Sequence, residues 1–160
     1  GGNPKGDVTI VEFFDYRCGY CKRVFPQLKE VVKADKNIRY IYKEFPILGP
    51  DSVTISKIAL SVWLIEKKKY EIFHTKLMTS KGKLTKQRLF KIAESLGLKK
   101  DVIVKKMNSS KIDDIIKKNH KLAQALNISG TPAFIINDEI IPGAIDKSTL
   151  RRLIKKARNI

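Results

Sequence analysis

Two cysteines, Cys18 and Cys21, are the residues of this sequence whose type and spacing point most directly to chemistry. They are the only cysteines in the 160 residues, and only Gly19 and Tyr20 separate them. A thiolate can attack a disulfide, and a second thiol three residues further on can resolve the mixed disulfide that forms. The pair therefore predicts thiol–disulfide exchange by a reactive redox couple, in preference to a structural bridge.

The residues on either side of the pair predict a strand followed by a helix. Residues 8–14 are mostly apolar and rich in β-branched and aromatic side chains, as buried strands are. From about residue 18 to residue 34, apolar side chains recur at helical spacing. Cys18 then lies at the helix N-terminus, where unpaired N–H groups and the positive end of the helix dipole favour a thiolate.

The rest of the chain predicts further strands separated by a block of helices. Residues 38–45 have a strand pattern and should run parallel to the first strand, whereas residues 51–127 have helical patterns only. Residues 133–136 and 139–142 predict a hairpin before a final helix at about 147–158. Side-chain N-caps are predicted for four of the helices: Asp51 or Ser52, Thr85, Ser110 with Asp113, and Asp146 or Ser148.

Composition is that of a globular protein of one domain. Hydrophobic residues make up 42% of the chain and charged residues 31%, and 160 residues suffice for a hydrophobic core. No apolar run approaches the ~20 residues that span a bilayer. Because neither an initiator Met nor a signal peptide precedes Gly1, we expect a targeting or oligomerisation segment upstream.

The strong positive charge favours a solvated basic surface. The formal charge of +17 comes from 33 Lys and Arg against 16 Asp and Glu. These basic residues are scattered over several predicted helices, without the interleaved aromatic residues or the motifs of nucleic-acid binders. We therefore predict no nucleic-acid partner. Contact with a polyanion or membrane surface, or a non-catalytic basic binding module, is the alternative.

Metal binding is the main chemical alternative for the cysteine pair. A structural zinc site needs four ligands, and only His74 and His120 could complete one. Both lie in the predicted helical block without ligand spacing, where a packing role for His74 and a surface or boundary position for His120 are expected. A permanent disulfide would close too short a loop to restrict the unfolded chain much. No metal and no cofactor are predicted.

Three segments together resemble the DsbA-like proteins of the thioredoxin superfamily. They are Glu12-Phe-Phe-Asp-Tyr-Arg-Cys-Gly-Tyr-Cys21, Tyr42-Lys-Glu-Phe-Pro-Ile-Leu-Gly49 and Gly130-Thr-Pro-Ala-Phe134. The resemblance covers nearly the whole chain and is strongest to the bacterial group that includes the trimeric suppressor-of-copper-sensitivity isomerases. It implies an α/β thioredoxin fold, one domain over residues 1–160. The thioredoxin halves would be residues 8–50 and 128–160, with a helical insertion at 51–127 between the βαβ and ββα parts.

The resemblance also implies roles for individual residues. Cys18 would be the exposed attacking thiolate, and Cys21 the buried resolving thiol. Pro132 would be a cis-proline that faces the pair, and the backbone of Thr131 would bind a substrate strand. Glu12 would be a buried carboxylate behind Cys21, which tunes it or carries its proton.

Three further residues are expected to tune the redox pair. Lys43, on the neighbouring strand, is the expected charge partner of Glu12, with Glu44 on the other face. Gly19 and Tyr20 would lie against the Cys18 sulfur and help to set the reduction potential. They differ from the Pro-His of strongly oxidising relatives, and a Thr at position 131 is typical of isomerase-like ones.

The resulting functional hypothesis is a periplasmic thiol–disulfide oxidoreductase that acts on cysteine-containing secreted proteins. We expect a dithiol oxidase that a membrane redox partner reoxidises. The alternative is a disulfide isomerase or reductase that forms oligomers through a region upstream of Gly1.

Overall fold

A four-stranded sheet holds the segment that leads to the cysteine pair. The computed structural model describes residues 1–159. Its strands are β1 (Val8–Phe14), β2 (Ile38–Glu44), β3 (Ala133–Ile136) and β4 (Glu139–Pro142), in the spatial order β2-β1-β3-β4. β1 pairs in parallel with β2 and antiparallel with β3, and β3 pairs antiparallel with β4. Because β1 is bonded along both edges, the residues that follow it start from a fixed position.

The helices occupy the positions that the sequence predicts. Five of them follow β2 and form the helical insertion, and the thioredoxin fold with this insertion is confirmed. The described helices are α1 (Gly19–Ala34), α2 (Pro50–Ile65), α3 (Lys67–Thr79), α4 (Lys86–Glu94), α5 (Lys100–Met107), α6 (Ser110–Ala125) and α7 (Lys147–Arg158). None of these helices is long and apolar enough to cross a membrane.

Two of the predicted helix caps are confirmed. The side chain of Thr85 accepts a hydrogen bond from the backbone N–H of Arg88, at the start of α4. The side chain of Asp146 does the same for the N–H of Thr149, at the start of α7. Both satisfy an N–H group that has no partner within its helix.

The two other predicted caps are wrong. Helix α2 begins one residue before Asp51, at Pro50, and its N-cap is Gly49 with no side-chain bond. Proline is suited to the first helical position because it lacks an N–H and its φ is already helical. Helix α6 has Ser109 as its N-cap, also without a side-chain bond. Its Asp113 forms an ion pair with Lys57 of α2 at 2.6 Å, so a contact between helices replaces the capping box.

The cysteine pair lies in the core between the sheet and the insertion. Both cysteines belong to a buried cluster that includes Phe14 of β1, Phe25 of α1 and Phe73 of α3. A second cluster packs α1 and α7 against β1, β2 and β3. The insertion therefore forms one wall of the core around the redox pair.

Candidate active site

Cys18 begins helix α1 with its sulfur turned back over the first turn. It is the N-cap residue, and its Sγ accepts a hydrogen bond of 3.2 Å from the backbone N–H of Cys21. On its other side, Sγ lies 3.3 Å from the carbonyl oxygen of Thr131. Cys18 thus occupies the position where serine or aspartate usually caps a helix, and a negative charge is stabilised there.

The two thiols have opposite pKa shifts. The pKa of Cys18 is lowered to about 6, first because the Cys21 thiol donates a hydrogen bond to its sulfur. Thr131 and the backbone N–H groups of Cys21 and Tyr20 lower it further, against the effect of burial. The pKa of Cys21 is raised far above its ordinary value, because its proton is held in the bond to Cys18 and the group is buried. In the reduced pair, the negative charge therefore lies on Cys18 and the proton on Cys21.

Both cysteines are reduced and buried, and the expectation that Cys18 would be exposed is wrong. Its exposed fraction is 5%, and that of Cys21 is 0%. The cap geometry folds the Cys18 side chain over the helix, and the loop at Thr131 covers it from the other side. Only a small part of the sulfur-bearing side chain is open to a substrate.

Thr131 and Pro132 are at the mouth of the site, although 113 residues separate Thr131 from Cys18 in the chain. The peptide bond between them is cis. Pro132 is buried and Thr131 half-buried, and β3 begins at the next residue, Ala133. The start of β3 and the start of α1 therefore meet at the Cys18 sulfur.

Of the two intervening residues, Tyr20 contacts the Cys18 sulfur through its backbone N–H, while its side chain is exposed. Tyr20 is 60% exposed, and the guanidinium of Arg23 lies over its ring at 5.2 Å. A Cβ atom added to Gly19 would meet no atom within 4 Å, so this position leaves room for a larger residue. The backbone N–H of Tyr20 is one of the groups that lower the pKa of Cys18.

Glu12 lies on β1 in the interior behind the pair. It is fully buried, and its Oε2 accepts a hydrogen bond of 2.5 Å from the hydroxyl of Tyr40. Its Oε1 has no hydrogen-bond partner among residues 1–159. Burial raises the pKa of Glu12 to about 8 against the lowering effect of the Tyr40 bond, and the charge of Cys18 raises it further. The charge of Glu12 in turn adds to the raised pKa of Cys21, so the two groups interact.

The expected contact between Lys43 and Glu12 is wrong. The register of β1 and β2 pairs Glu12 with Tyr42 and Phe13 with Lys43. Paired residues of adjacent strands point to the same face of a sheet, so Lys43 lies on the face opposite to Glu12. Glu44, which was expected on that opposite face, pairs with Phe14 and shares the face of Glu12. The partner of Glu12 is the neutral hydroxyl of Tyr40, so no lysine charge offsets the cost of burying the carboxylate.

A second buried carboxylate, Glu44, was not predicted as part of the site. It is 1% exposed and accepts three hydroxyl hydrogen bonds, from Tyr16 (3.1 Å), Tyr70 (2.8 Å) and Ser56 (2.7 Å). Burial raises its pKa to about 7, although the three donors act in the opposite direction. The alternation of polar residues Tyr40, Tyr42 and Glu44 along β2 was a signal in the sequence for this inward polar face.

His74 joins the same network, in addition to its predicted packing role. Its ring is fully buried beside those of Phe14, Phe25 and Tyr70. Its Nδ1 lies 2.9 Å from the hydroxyl of Tyr16, and burial lowers its pKa to about 3. Glu44 and His74 together connect Tyr16, two residues before Cys18, to helices α2 and α3 of the insertion.

Asp15 fixes the loop that connects β1 to the cysteines. Its carboxylate accepts hydrogen bonds from the backbone N–H groups of Arg17, Ile47 and Leu48 at 2.8 to 3.0 Å. It also accepts one from the hydroxyl of Ser52 at 2.8 Å. These four bonds hold the approach to Cys18 against the segment that leads into α2.

Among the described residues, no three or more His, Cys, Asp or Glu side chains come together as they would around a metal ion. His120 is half-buried and packs against the ring of Phe45 at 4.8 Å, away from the cysteine pair. The reactive groups that the structure places at the site are the two thiols, with the buried carboxylate of Glu12 behind them.

Comparison with known proteins agrees with this geometry. A thioredoxin-like oxidoreductase from Silicibacter pomeroyi DSS-3 has 38% identity and a TM-score of 0.93, over 100% of this chain and 91% of that one. A periplasmic thioredoxin-like protein from Salmonella enterica serovar Typhimurium has 31% identity and a TM-score of 0.90, over 100% and 89%. Disulfide bond formation protein D of Bacillus subtilis is 24% identical over 97% of this chain and 74% of its own length.

A comparison with protein-family models also matches most of the chain. The model of the DSBA-like thioredoxin domain matches residues 9–155, which include both cysteines, the helical insertion and the hairpin of β3 and β4. The chain therefore belongs to the DSBA-like thioredoxin domain family, whose chemistry is thiol–disulfide exchange.

Proposed function

We propose that this protein oxidises pairs of cysteine thiols in secreted proteins, by transferring the disulfide of Cys18 and Cys21 to them. The observation that carries this proposal is the position of the Cys18 sulfur, which caps α1 and accepts bonds from Cys21. Stabilising the Cys18 thiolate stabilises the reduced pair, and a stable reduced pair makes the oxidised pair a better oxidant. A Bacillus subtilis relative is called a disulfide bond formation protein, and this name supports oxidation of substrate thiols as the direction of the reaction.

The proposed reaction proceeds in two exchanges. A substrate thiolate attacks Sγ of Cys18, the bond between Cys18 and Cys21 breaks, and its electron pair and a proton go to the Cys21 sulfur. A second substrate thiolate then attacks the substrate sulfur of the mixed disulfide, and Cys18 leaves as a thiolate. The substrate loses two electrons and the cysteine pair gains them. A membrane redox partner would remove those electrons and restore the disulfide.

Thr131 and Pro132 are proposed to position the substrate. The backbone at Thr131 lies beside Cys18, where an extended substrate segment could pair with it next to the reacting sulfur. We place the reaction in the periplasm, as the similarity to a periplasmic thioredoxin-like protein supports.

Glu12 is proposed to exchange the proton of Cys21, and we expect Glu12→Gln to slow turnover. The carboxyl group has a pKa of about 8, interacts with Cys21 and has one oxygen without a partner among the described residues. Loss of such a general acid–base group should lower the turnover rate by about 100-fold or more near pH 7. The pH profile of turnover checks this role. An unchanged profile in Glu12→Gln would show that the carboxyl is structural.

The same variant measures how the protonation of Glu12 affects the stability of the reduced protein. Folding raises the pKa of Glu12 from 4.5 to about 8, so the folded state holds a proton that the unfolded state has lost. The stability of the wild type relative to Glu12→Gln should therefore be greatest below pH 4.5 and should fall as the pH rises to about 8. Denaturant unfolding at several pH values measures it, and a difference of up to about 5 kcal/mol is expected.

Refolding of ribonuclease tests the direction of exchange. The oxidised protein should form disulfides in fully reduced ribonuclease, and ribonuclease activity should return as the native pairs form. The reduced protein, incubated with scrambled ribonuclease, provides the matched test for isomerisation. Activity on scrambled but not on reduced ribonuclease would show that the protein is an isomerase and not an oxidase. Activity on neither form would contradict thiol–disulfide exchange with protein substrates.

A further inference from the structure

A basic cleft opens beside the redox pair. Its volume is about 260 Å³, and its walls come from the approach loop, the first turn of α1, α2 and the loop between α3 and α4. Two lining residues, Arg17 and Lys22, directly flank the segment from Cys18 to Cys21. A group bound in the cleft would therefore lie beside the segment that carries the two cysteines. The other residues that line it are Tyr16, Asp51, Ile55, Gly82, Lys83 and Leu84.

The cations of this cleft are held by backbone carbonyls instead of carboxylates. Arg17 Nη1 donates to the carbonyl oxygen of Leu48, and Lys22 Nζ donates to that of Ser80 at 3.1 Å. Arg88, in the neighbouring helix α4, donates to the carbonyl oxygen of Lys81 at 2.6 Å. A carbonyl fixes the position of a cation without neutralising its charge, so the positive field in the cleft persists.

Few acidic groups oppose this field. In the part of the chain that the structure describes, neither Arg17, Lys22 nor Arg88 lies within 4.0 Å of a carboxylate oxygen. Asp51 pairs loosely with Lys83, at 3.7 Å and in an exposed position. The buried Asp15 carboxylate lies beneath the Arg17 loop, but backbone N–H groups and Ser52 occupy its oxygens. The pKa of Lys22 is lowered by burial and by the charge of Arg88, which agrees with two unneutralised cations close together.

We infer that this cleft binds an acidic side chain of the substrate, so that the protein prefers cysteines with Asp or Glu close to them. The inference rests on the proposed thiol–disulfide exchange. Each cation has N–H bonds beyond those that it gives to carbonyls, and these can donate to a carboxylate. Because the side chains are already positioned, binding loses little conformational entropy. An incoming carboxylate would give these three cations a direct partner, which none of them has within 4.0 Å among the described residues.

Matched peptides test this preference. The oxidised protein is mixed with reduced two-cysteine peptides that differ only in Glu or Gln beside the first cysteine, and chromatography measures the peptide disulfide formed. Each rate is divided by the rate of the same peptide with hydroxyethyl disulfide, which corrects for the effect of the charge on the peptide thiol. The corrected ratio of the Glu peptide to the Gln peptide should be roughly three to five at low ionic strength and approach one at high salt.

Substitutions then locate the effect. Arg17→Gln and Lys22→Gln should each lower the ratio towards one, whereas Lys117→Gln on the exposed surface of α6 should leave it unchanged. A change in the pKa of Cys18, followed by ultraviolet absorbance, affects both peptides equally and cancels in the ratio. A ratio of one in the wild type, or a ratio insensitive to both cleft variants, would overturn the inference.

Two further outcomes of the peptide experiment separate failure of the proposed function from failure of the acidic preference alone. If neither peptide is oxidised, the proposed function fails and the inference fails with it. If both are oxidised equally, the inference is wrong, and inhibition by a short oligonucleotide at low salt would then show that the basic surface of the protein binds polyanions.

Discussion

Cys21→Ala is expected to convert the protein from a catalyst into a trap that holds substrates in mixed disulfides through Cys18. In the wild type, Cys21 can attack the mixed disulfide, because its N–H and thiol both contact the Cys18 sulfur. In the variant, the Cys18 thiolate attacks a substrate disulfide, one substrate sulfur leaves as a thiolate, and the mixed disulfide should accumulate because the Cys21 thiol is missing. Because the variant cannot form the disulfide between Cys18 and Cys21, oxidation of substrate thiols should fall to the uncatalysed level. Non-reducing electrophoresis and mass spectrometry detect the adducts, which dithiothreitol should release.

The variant also removes the strongest cause of the lowered pKa of Cys18, the hydrogen bond from the Cys21 thiol. The pKa of Cys18 should therefore rise above about 6, and trapping should be measured near pH 8 so that a thiolate fraction remains. Cys18→Ala is the matched control. Because Cys21 is fully buried, this variant should form no adducts and show no turnover. Adducts on Cys21, or normal turnover in Cys21→Ala, would contradict the assigned roles.

Glu44→Ala is expected to destabilise the protein by about 3–5 kcal/mol. The substitution would leave the hydroxyls of Tyr70 and Ser56 without their acceptor in the core, and that of Tyr16 with His74 as its remaining partner. Each unpaired buried donor costs about 1–3 kcal/mol, although local repacking recovers part of the sum. Denaturant unfolding measures the loss.

Glu44→Gln provides the comparison for the charge. The amide keeps one acceptor oxygen and nearly the same volume, so a smaller loss, on the order of 1–2 kcal/mol, is expected. Folding raises the pKa of Glu44 from 4.5 to about 7, so the stability of the wild type relative to Glu44→Gln should fall as the pH rises through this range. A loss below about 1 kcal/mol in Glu44→Ala would show that the network contributes little to the fold.

The Glu44 network also connects stability to the redox site. Tyr16 donates to Glu44 and contacts His74, and it lies two residues before Cys18 in the chain. Asp15 holds the same loop through four hydrogen bonds. We therefore expect Glu44→Ala to loosen the approach to Cys18 as well as the packing of the insertion.

The sequence by itself determined the features that depend on neighbouring residues. The spacing of Cys18 and Cys21 and the junction between β1 and α1 follow from local periodicity, since each lies within one short stretch of chain. The resemblance to known proteins added the fold, and pointed to Thr131 and Pro132 as distant residues that would meet the pair. These features are encoded by residue type and order, and the structure reproduces the junction with Cys18 as the N-cap.

Only the tertiary structure decided which buried groups face one another. Glu12 contacts Tyr40 and not Lys43 because the strand register places Tyr42 opposite Glu12, and a shift of one residue would move every side chain of β2 to the other face. Glu44 gains its partners from helices α2 and α3, whose docking depends on the whole core. Cys18 is buried because the distant loop at Thr131 covers it. Each of these contacts joins segments far apart in the chain, which local sequence patterns do not specify.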